Sequence, residues 1–316
     1  MTLQSPAPAY SPYGLLTDPA ALGLSETTVR APIGTAVARY RRTAATPRAT
    51  IFLHGAAGSW TTWTPLLQDA AARGIPINNP VLVDLPGFGS GTLTGTSGEV
   101  TLEAVCEIVR HCAEELGYTE WDIVGHSMGG FVALHMAAIW PQSVLSVGVV
   151  SGTGESIISS IEHPVRNFRT LPAFTLLWKA MVLLAPFGPL VSLLVRGIRA
   201  LGGMRTLVRP LFRYPARIDR SIADALGADL HPRSFVLAAG LVRGYDPETS
   251  WARIDCAVRA LNGDSDAFST AADLRRLGAI VAGSELAVIA DCGHFAAAER
   301  PTEVLYALGF AARATA

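Results

Sequence analysis

Lysine is almost missing from this 316-residue chain: Lys179 is the only one, and arginine supplies every other base. Charged residues of both signs are also scarce, at 16% against about 25% in ordinary globular chains. The 26 acids nearly cancel the 25 bases, which argues against a nucleic-acid partner for the chain as a whole. Only four cysteines occur, Cys106, Cys112, Cys256 and Cys292, with no CxxC pair. A disulfide framework is therefore excluded, and free thiols in a reducing compartment are expected. There is no HExxH and no Cys/His pairing at zinc spacing, so neither a metal nor another cofactor is expected. The opening MTLQSPAPAYSPYG has no basic start followed by an apolar run, so no secretory leader is read there. Uncharged apolar runs stay below 18 residues. The stretch 180–195, between Lys179 and Arg196, holds Pro186 and Pro189 and is predicted to be too short and too broken to span a bilayer.

What is present is apolar residues, half of the chain, which excludes intrinsic disorder. They fall in short runs that alternate with helical periodicity. AVARY (36–40), ATIFLHG (49–55), PVLVDLPG (80–87), WDIVGHS (121–127) and SVLSVGVVS (143–151) read as strands. Residues 60–73 read as a helix, as do 100–117 and 127–140. The second of these puts Leu102, Val105, Val109, Cys112 and Leu116 on one face and stops at Gly117. This succession predicts an α/β fold, a parallel sheet with helices on both faces. From about residue 155 to 250 the chain reads as helix after helix. Strands resume at CAVRALNG (256–263) and ELAVIADCG (285–293), and a last helix starts at Pro301. The organisation predicted is one α/β core, 1–154 and 251–316, with a helical insertion at 155–250.

Four loops carry chemistry. Gly125-His126-Ser127-Met128-Gly129-Gly130 joins a buried strand to a small-residue helix, the setting of a Gly-x-Ser-x-Gly nucleophile elbow. Gly125 and Gly129 remove the Cβ atoms that would collide in so sharp a reversal. The turn His54-Gly55-Ala56-Ala57-Gly58-Ser59 aims backbone N–H groups above the sheet, so the Ala56 and Met128 amides are candidates for an oxyanion hole. His294, in Asp291-Cys292-Gly293-His294-Phe295, is the candidate general base, ahead of His54, His126 (facing the wrong way within the elbow) and His135. In Asn262-Gly263-Asp264-Ser265-Asp266, both Asp264 and Asp266 qualify by position as its carboxylate partner.

With HGAAGS, DLPGFGSG (84–91), GHSMGG, GDSD, and DCGHF followed by Glu299-Arg300-Pro301, the chain resembles the α/β-hydrolase fold superfamily in its capped form, over roughly 27–154 and 251–312. The order serine, acid, histidine matches that architecture. The resemblance implies Gly-x-x-Asp as the acid's position, which selects Asp266, with Glu155 as the outsider. It also implies that Asp84 shapes a loop. Serine, where dehalogenases and epoxide hydrolases of this fold have aspartate, implies an acyl-enzyme or chemistry in which serine assists without acylation.

The insertion has no acid between residues 163 and 218 but nine bases, separated by apolar runs such as LPAFTLLW (171–178) and MVLLAPFGPLVSLLV (181–195). Three roles are expected of it: a lid lining an acyl pocket, a docking face for anionic lipid, or a dimer surface. The expected activity is hydrolysis of a carboxylic ester or thioester with an apolar acyl or alcohol part, without cofactor. Cleavage of a C–C bond in a vinylogous diketone, which members with a similar HGxxGS loop perform, is the alternative. A non-catalytic small-molecule receptor is the second. A cytoplasmic place with peripheral membrane contact fits this pattern.

Overall fold

The continuous apolar runs form the middle of one eight-stranded sheet in the computed structural model, which describes residues 9–96 and 98–311. Its strands are β1 (Ser25–Ala31), β2 (Gly34–Tyr40), β3 (Arg48–Leu53), β4 (Pro80–Asp84), β5 (Glu120–His126), β6 (Val144–Val150), β7 (Ala257–Gly263) and β8 (Glu285–Ile289). They lie in the order β1-β2-β4-β3-β5-β6-β7-β8. The β1–β2 and β2–β4 pairs are antiparallel and the remaining pairs are parallel. Burial on both faces explains why β3 to β6 lack the polar alternation of an exposed sheet. The opening residues 1–8, where no leader was read, lie outside the described residues.

Helices cover both faces. Phe52, Leu82, Val124 and Leu261 pack toward α1 (Thr64–Ala72) and α13 (Pro301–Ala307). Ile51, Val83, Ile123 and Val149 point the other way, into a core shared with α2 (Leu102–Glu115) and α3 (Met128–Ile139). Helix α2 starts where the Thr101 side chain accepts from the Ala104 N–H, and it buries the predicted apolar face. Between β6 and β7 lie α4 (Glu155–Glu162), α5 (Pro172–Leu184), α6 (Gly188–Ala200), α7 (Met204–Leu207), α8 (Arg220–Ala228), α9 (Pro232–Gly240) and α10 (Pro247–Trp251). Helix α11 (Ala271–Ile280) links β7 to β8, and α12 (Ala296–Glu299) precedes α13.

Strand β1, SETTVRA, and helices α11 and α12 have no counterpart in the elements expected from the sequence. Another difference corrects an expectation. Pro186 and Pro189 do not break the apolar stretch; helical turns run from Pro172 to Ala200, 29 residues, with a 3-10 turn at Ala185–Phe187. Each proline occupies a first-turn position of its own helical segment, where its missing N–H has no intrahelical carbonyl to serve.

The parallel strands bring their C-terminal ends, and the loops that follow, to one sheet edge. Two of those loops are tied together by Asp84. Its fully buried carboxylate accepts from Arg39 Nη1 at 2.6 Å, the Trp60 N–H at 2.7 Å and the Ser90 N–H at 2.9 Å. Asp84 thus shapes the loops after β3 and β4 at the C-terminal edge of the sheet. Its removal leaves the buried Arg39 guanidinium and two amides short of an acceptor. Asp84→Ala is expected to lose about 3–5 kcal/mol of stability, the usual cost of breaking a buried pair from one side. Urea unfolding followed by circular dichroism measures this; a loss below 1 kcal/mol would contradict it.

Candidate active site

Ser127 sits in the reversal between β5 and α3 with φ +52° and ψ −117°, a backbone conformation that L residues rarely adopt. Close packing holds it there. A Cβ on Gly125 would collide with the Gly129 carbonyl, and one on Gly129 with the carbonyls of Leu53 and His54. The Ser127 N–H donates to Val150 O at 3.0 Å, and its carbonyl accepts from Gly130 and Thr153. The strained residue is thereby tied to β6 on one side and to its own helix on the other.

The turn after β3 lies against this elbow. A Cβ on Gly55 would stand 2.9 Å from Ser127 Cβ, so only glycine lets the two loops approach so closely. His54 holds the turn: its Nδ1 pairs with the Gly55 carbonyl at 2.8 Å and its Nε2 accepts from the Leu85 N–H at 3.1 Å. Among the described residues, the turn and loop bonds use neither the Ala56 nor the Met128 N–H, and Met128 opens α3, where an N–H has no intrahelical acceptor.

The histidine loop is built from below. Its hydrogen bonds show the role of Glu299, which in the sequence stands only within the motif Glu299-Arg300-Pro301. The Glu299 side chain is buried and accepts from Tyr10 Oη at 2.7 Å and from the N–H groups of Gly293 and Arg213, both 2.9 Å, and Phe295. Burial raises its carboxyl above the ordinary value, although these donors pull the other way. A glutamate five residues after a candidate base was the only signal in the sequence. The His294 N–H donates to Leu211 O of the helical segment at 2.8 Å, and the His294 carbonyl accepts from His126 Nε2 at 2.9 Å.

His294 Nδ1 stands 2.9 and 3.0 Å from the two oxygens of Asp266, whose side chain is fully buried. Burial would raise the Asp266 carboxyl, but the His294 ring and the Phe268 N–H outweigh it and hold the group below its ordinary range. The carboxylate form accepts the ring's Nδ1–H, which leaves Nε2 as the lone-pair nitrogen. The other candidate, Asp264, faces elsewhere and accepts from the N–H groups of Asp291 and Cys292. Glu155 lies at the start of α4 beside Arg276, away from the histidine. Cys292 is buried next to His294, and burial raises its thiol, so no thiolate nucleophile arises there at neutral pH.

A cavity of about 580 Å³ lies between this sheet edge and the helical segment. Ala56, Ser127, Met128 and His294 share its wall with apolar residues such as Phe174, Met181 and Val195. Among the described residues no Asp, Glu, Lys or Arg faces it. The Ser127 side chain and the His294 ring lie on the same cavity wall. Among the described residues, no three His, Cys, Asp or Glu side chains gather as a metal would require.

A serine on a strand-to-helix elbow under a helical cap defines the hydrolase class of α/β fold. The chain belongs to the alpha/beta hydrolase family, whose model matches residues 50–308. It is similar to the dihydrolipoyllysine-residue acetyltransferase component of the acetoin cleaving system of Cupriavidus necator, 36% identical over 37% of this chain and 29% of that protein. It is 24% identical to the 2-hydroxy-6-oxononadienedioate/2-hydroxy-6-oxononatrienedioate hydrolase of Klebsiella pneumoniae over 78% of this chain and 80% of that one. The match spans a third or less of the length of the first curated relatives. Among solved structures, a bacterial membrane phospholipase A shares the fold, with TM-score 0.66 and 19% identity over 92% of this chain and 86% of that chain.

One neighbour of the site titrates abnormally. His126 is fully buried, its ring 4.8 Å from that of His294 and 4.7 Å from that of Phe295. It does not line the cavity, and among the described residues its Nδ1 has no hydrogen-bond partner. Burial pulls its pKa down to about 3, and the neighbouring His294 ring adds to the shift. The unfolded chain takes up this proton near pH 6.5, the folded one only near 3, so stability is full above about 6.5 and is lost as pH falls toward 3. His126→Gln is expected to flatten the acid side of the stability curve, by up to about 1.4 kcal/mol per pH unit. Parallel curves for wild type and variant between pH 7 and 5 would contradict this.

Proposed function

We propose that the protein is a serine hydrolase of carboxylic esters or thioesters whose acyl or alcohol part is apolar, with Ser127, His294 and Asp266 as nucleophile, base and orienting acid. The observation that carries this reading is the shared cavity: an elbow serine and a carboxylate-backed imidazole on one wall, with apolar side chains around them. In this mechanism His294 Nε2 takes the Ser127 proton as Oγ attacks the carbonyl carbon. The tetrahedral oxyanion is bound by the Ala56 and Met128 N–H groups, and the start of α3 adds its positive dipole end. His294 then gives the proton to the departing alcohol or thiol. Water, deprotonated by the same nitrogen, releases the acid from the acyl-enzyme. Asp266 keeps Nδ1 protonated throughout and stabilises the imidazolium that forms.

Cleavage of a C–C bond is the second reading, supported by the Klebsiella relative. The substrate in that protein's name is a dioate, with two carboxylates to accommodate. A cavity wall without arginine or lysine favours the neutral ester instead.

Ser127→Ala is expected to abolish turnover and fluorophosphonate labelling together, and Asp266→Ala to lower kcat about 10³- to 10⁴-fold with the fold intact. Across p-nitrophenyl esters of rising chain length, kcat/KM should climb about fourfold per methylene until the cavity is full, as each buried CH2 contributes about 0.8 kcal/mol. A flat, negligible response across the panel, with turnover of a vinylogous diketone, would replace this reading by the second one. Fluorophosphonate inertness with no turnover of either would leave a receptor.

A further inference from the structure

The large apolar side chains that stand in water are not scattered. Among the described residues, eleven of the thirteen exposed ones fall between Val165 and Leu207, and the other two, Leu286 and Val288, lie on β8. Their centre is the helical stretch Pro172–Ala200, with mean hydropathy 1.8 over its most apolar window and only 17% of that window buried. One face of this stretch is spoken for: Phe174, Trp178, Met181, Val191 and Val195 pack inside the protein. The opposite face carries Leu183, Leu190 and Leu193, exposed by 72%, 64% and 63%. An apolar patch of this extent on a monomer marks a surface that something else covers.

The charge around the patch says what. Residues 163–218 hold nine bases and no acid, which leaves sixteen bases and twenty-six acids for the rest of the chain. Arg166, Arg169, Lys179, Arg196 and Arg209 form no ion pair with a carboxylate among the described residues. A second copy seated on the same face would set one cationic patch against another, without acids inside the patch to neutralise either. An anionic lipid leaflet supplies both missing complements, a hydrocarbon layer for the leucines and negative headgroups for the arginines. The helix lies on such a surface and does not cross it, because crossing would strip its inner face from the cap.

The cavity opens on the same side. Leu176, Leu194 and Leu207 are exposed and also line the cavity that holds Ser127. We propose that the outer face of α5 and α6 is a monotopic docking surface for anionic membranes, and that the mouth of the cavity faces the bilayer, so that the ester reaches Ser127 from the lipid phase. Docking stands on the surface alone; delivery of an ester rests on the esterase reading above.

The test uses the full chain and extruded vesicles of phosphatidylcholine alone or with 30 mol% phosphatidylserine. Wild type is expected to co-sediment with the anionic vesicles and to be released at high salt. Leu183→Asp/Leu190→Asp/Leu193→Asp, at exposed positions away from the cavity wall, should abolish co-sedimentation. Arg166→Glu/Arg169→Glu/Arg196→Glu should weaken it by on the order of a hundredfold. Both variants should hydrolyse a water-soluble short-chain ester at the wild-type rate, while hydrolysis of a long-chain ester dissolved in the anionic vesicles falls at least tenfold. Wild type left in the supernatant with both vesicle types at low salt would overturn docking. So would a dimer that the leucine substitutions dissociate, found together with an absence of vesicle binding. Sedimentation with anionic vesicles but no ester hydrolysis of any kind would sink the esterase reading and leave docking intact.

Discussion

The contact between the first turn of α3 and the ends of β3 and β5 is the constraint on which the site depends. Gly129 presses its backbone against the Leu53 and His54 carbonyls, and Gly125 against Gly129, at separations that admit no Cβ. That packing forces Ser127 into a left-handed conformation whose cost, about 1–3 kcal/mol, the surrounding sheet and helix must hold in place. The strain has a purpose in geometry. It lifts the serine off the strand axis, and it leaves the Met128 amide at the mouth of a helix without an acceptor.

Buried carboxylates do for the loops what glycines do for the elbow. Asp84 gathers the loops after β3 and β4, Glu299 the histidine loop, and Asp266 the histidine ring itself. Each satisfies several N–H donors from separate loops, so loop positions at the sheet edge are set by charge-assisted bonds. The carboxylates differ in how their environments balance. Burial wins at Glu299, raising its carboxyl, while the adjacent imidazole wins at Asp266, lowering it. That difference suits their positions. Asp266 faces the imidazole of His294, whereas Glu299 faces backbone amides and a phenol.

The legible parts of the sequence were those where one physical demand dominates. Buried parallel strands need unbroken apolar runs, and the elbow needs glycine on both sides of serine, so both stood out. Strand β1 did not, because SETTVRA is an edge strand with a mostly solvated surface and no apolar pattern to betray it. Helix α11 hid for a related reason: its two buried leucines lie among exposed charges in a ten-residue stretch. Two candidate acids two residues apart could not be ranked by spacing, since the choice is made by the turn that follows β7. There Gly263 packs on the Cys292 carbonyl, and Asp266 turns inward while Asp264 caps the amides of the next loop. The prolines misled for a different reason. Proline excludes itself from a helix interior, but two prolines at the starts of successive helical segments let the stretch continue.

The helical segment links the chemistry to its surroundings through a single pair of faces. Its inner face supplies the apolar wall of the cavity, and an apolar wall disfavours charged and strongly hydrated substrates. A substrate that suits such a wall is itself poorly soluble and concentrates wherever hydrocarbon is available. The outer face of the same helices exposes leucines, in a segment that holds nine bases and no acid. Packing of the cavity does not require this: Leu183, Leu190, Leu193 and Leu201 are exposed and do not line the pocket. Three other exposed leucines, Leu176, Leu194 and Leu207, also line the cavity, so one acid-free helical stretch presents apolar side chains to the pocket and to its surroundings at once.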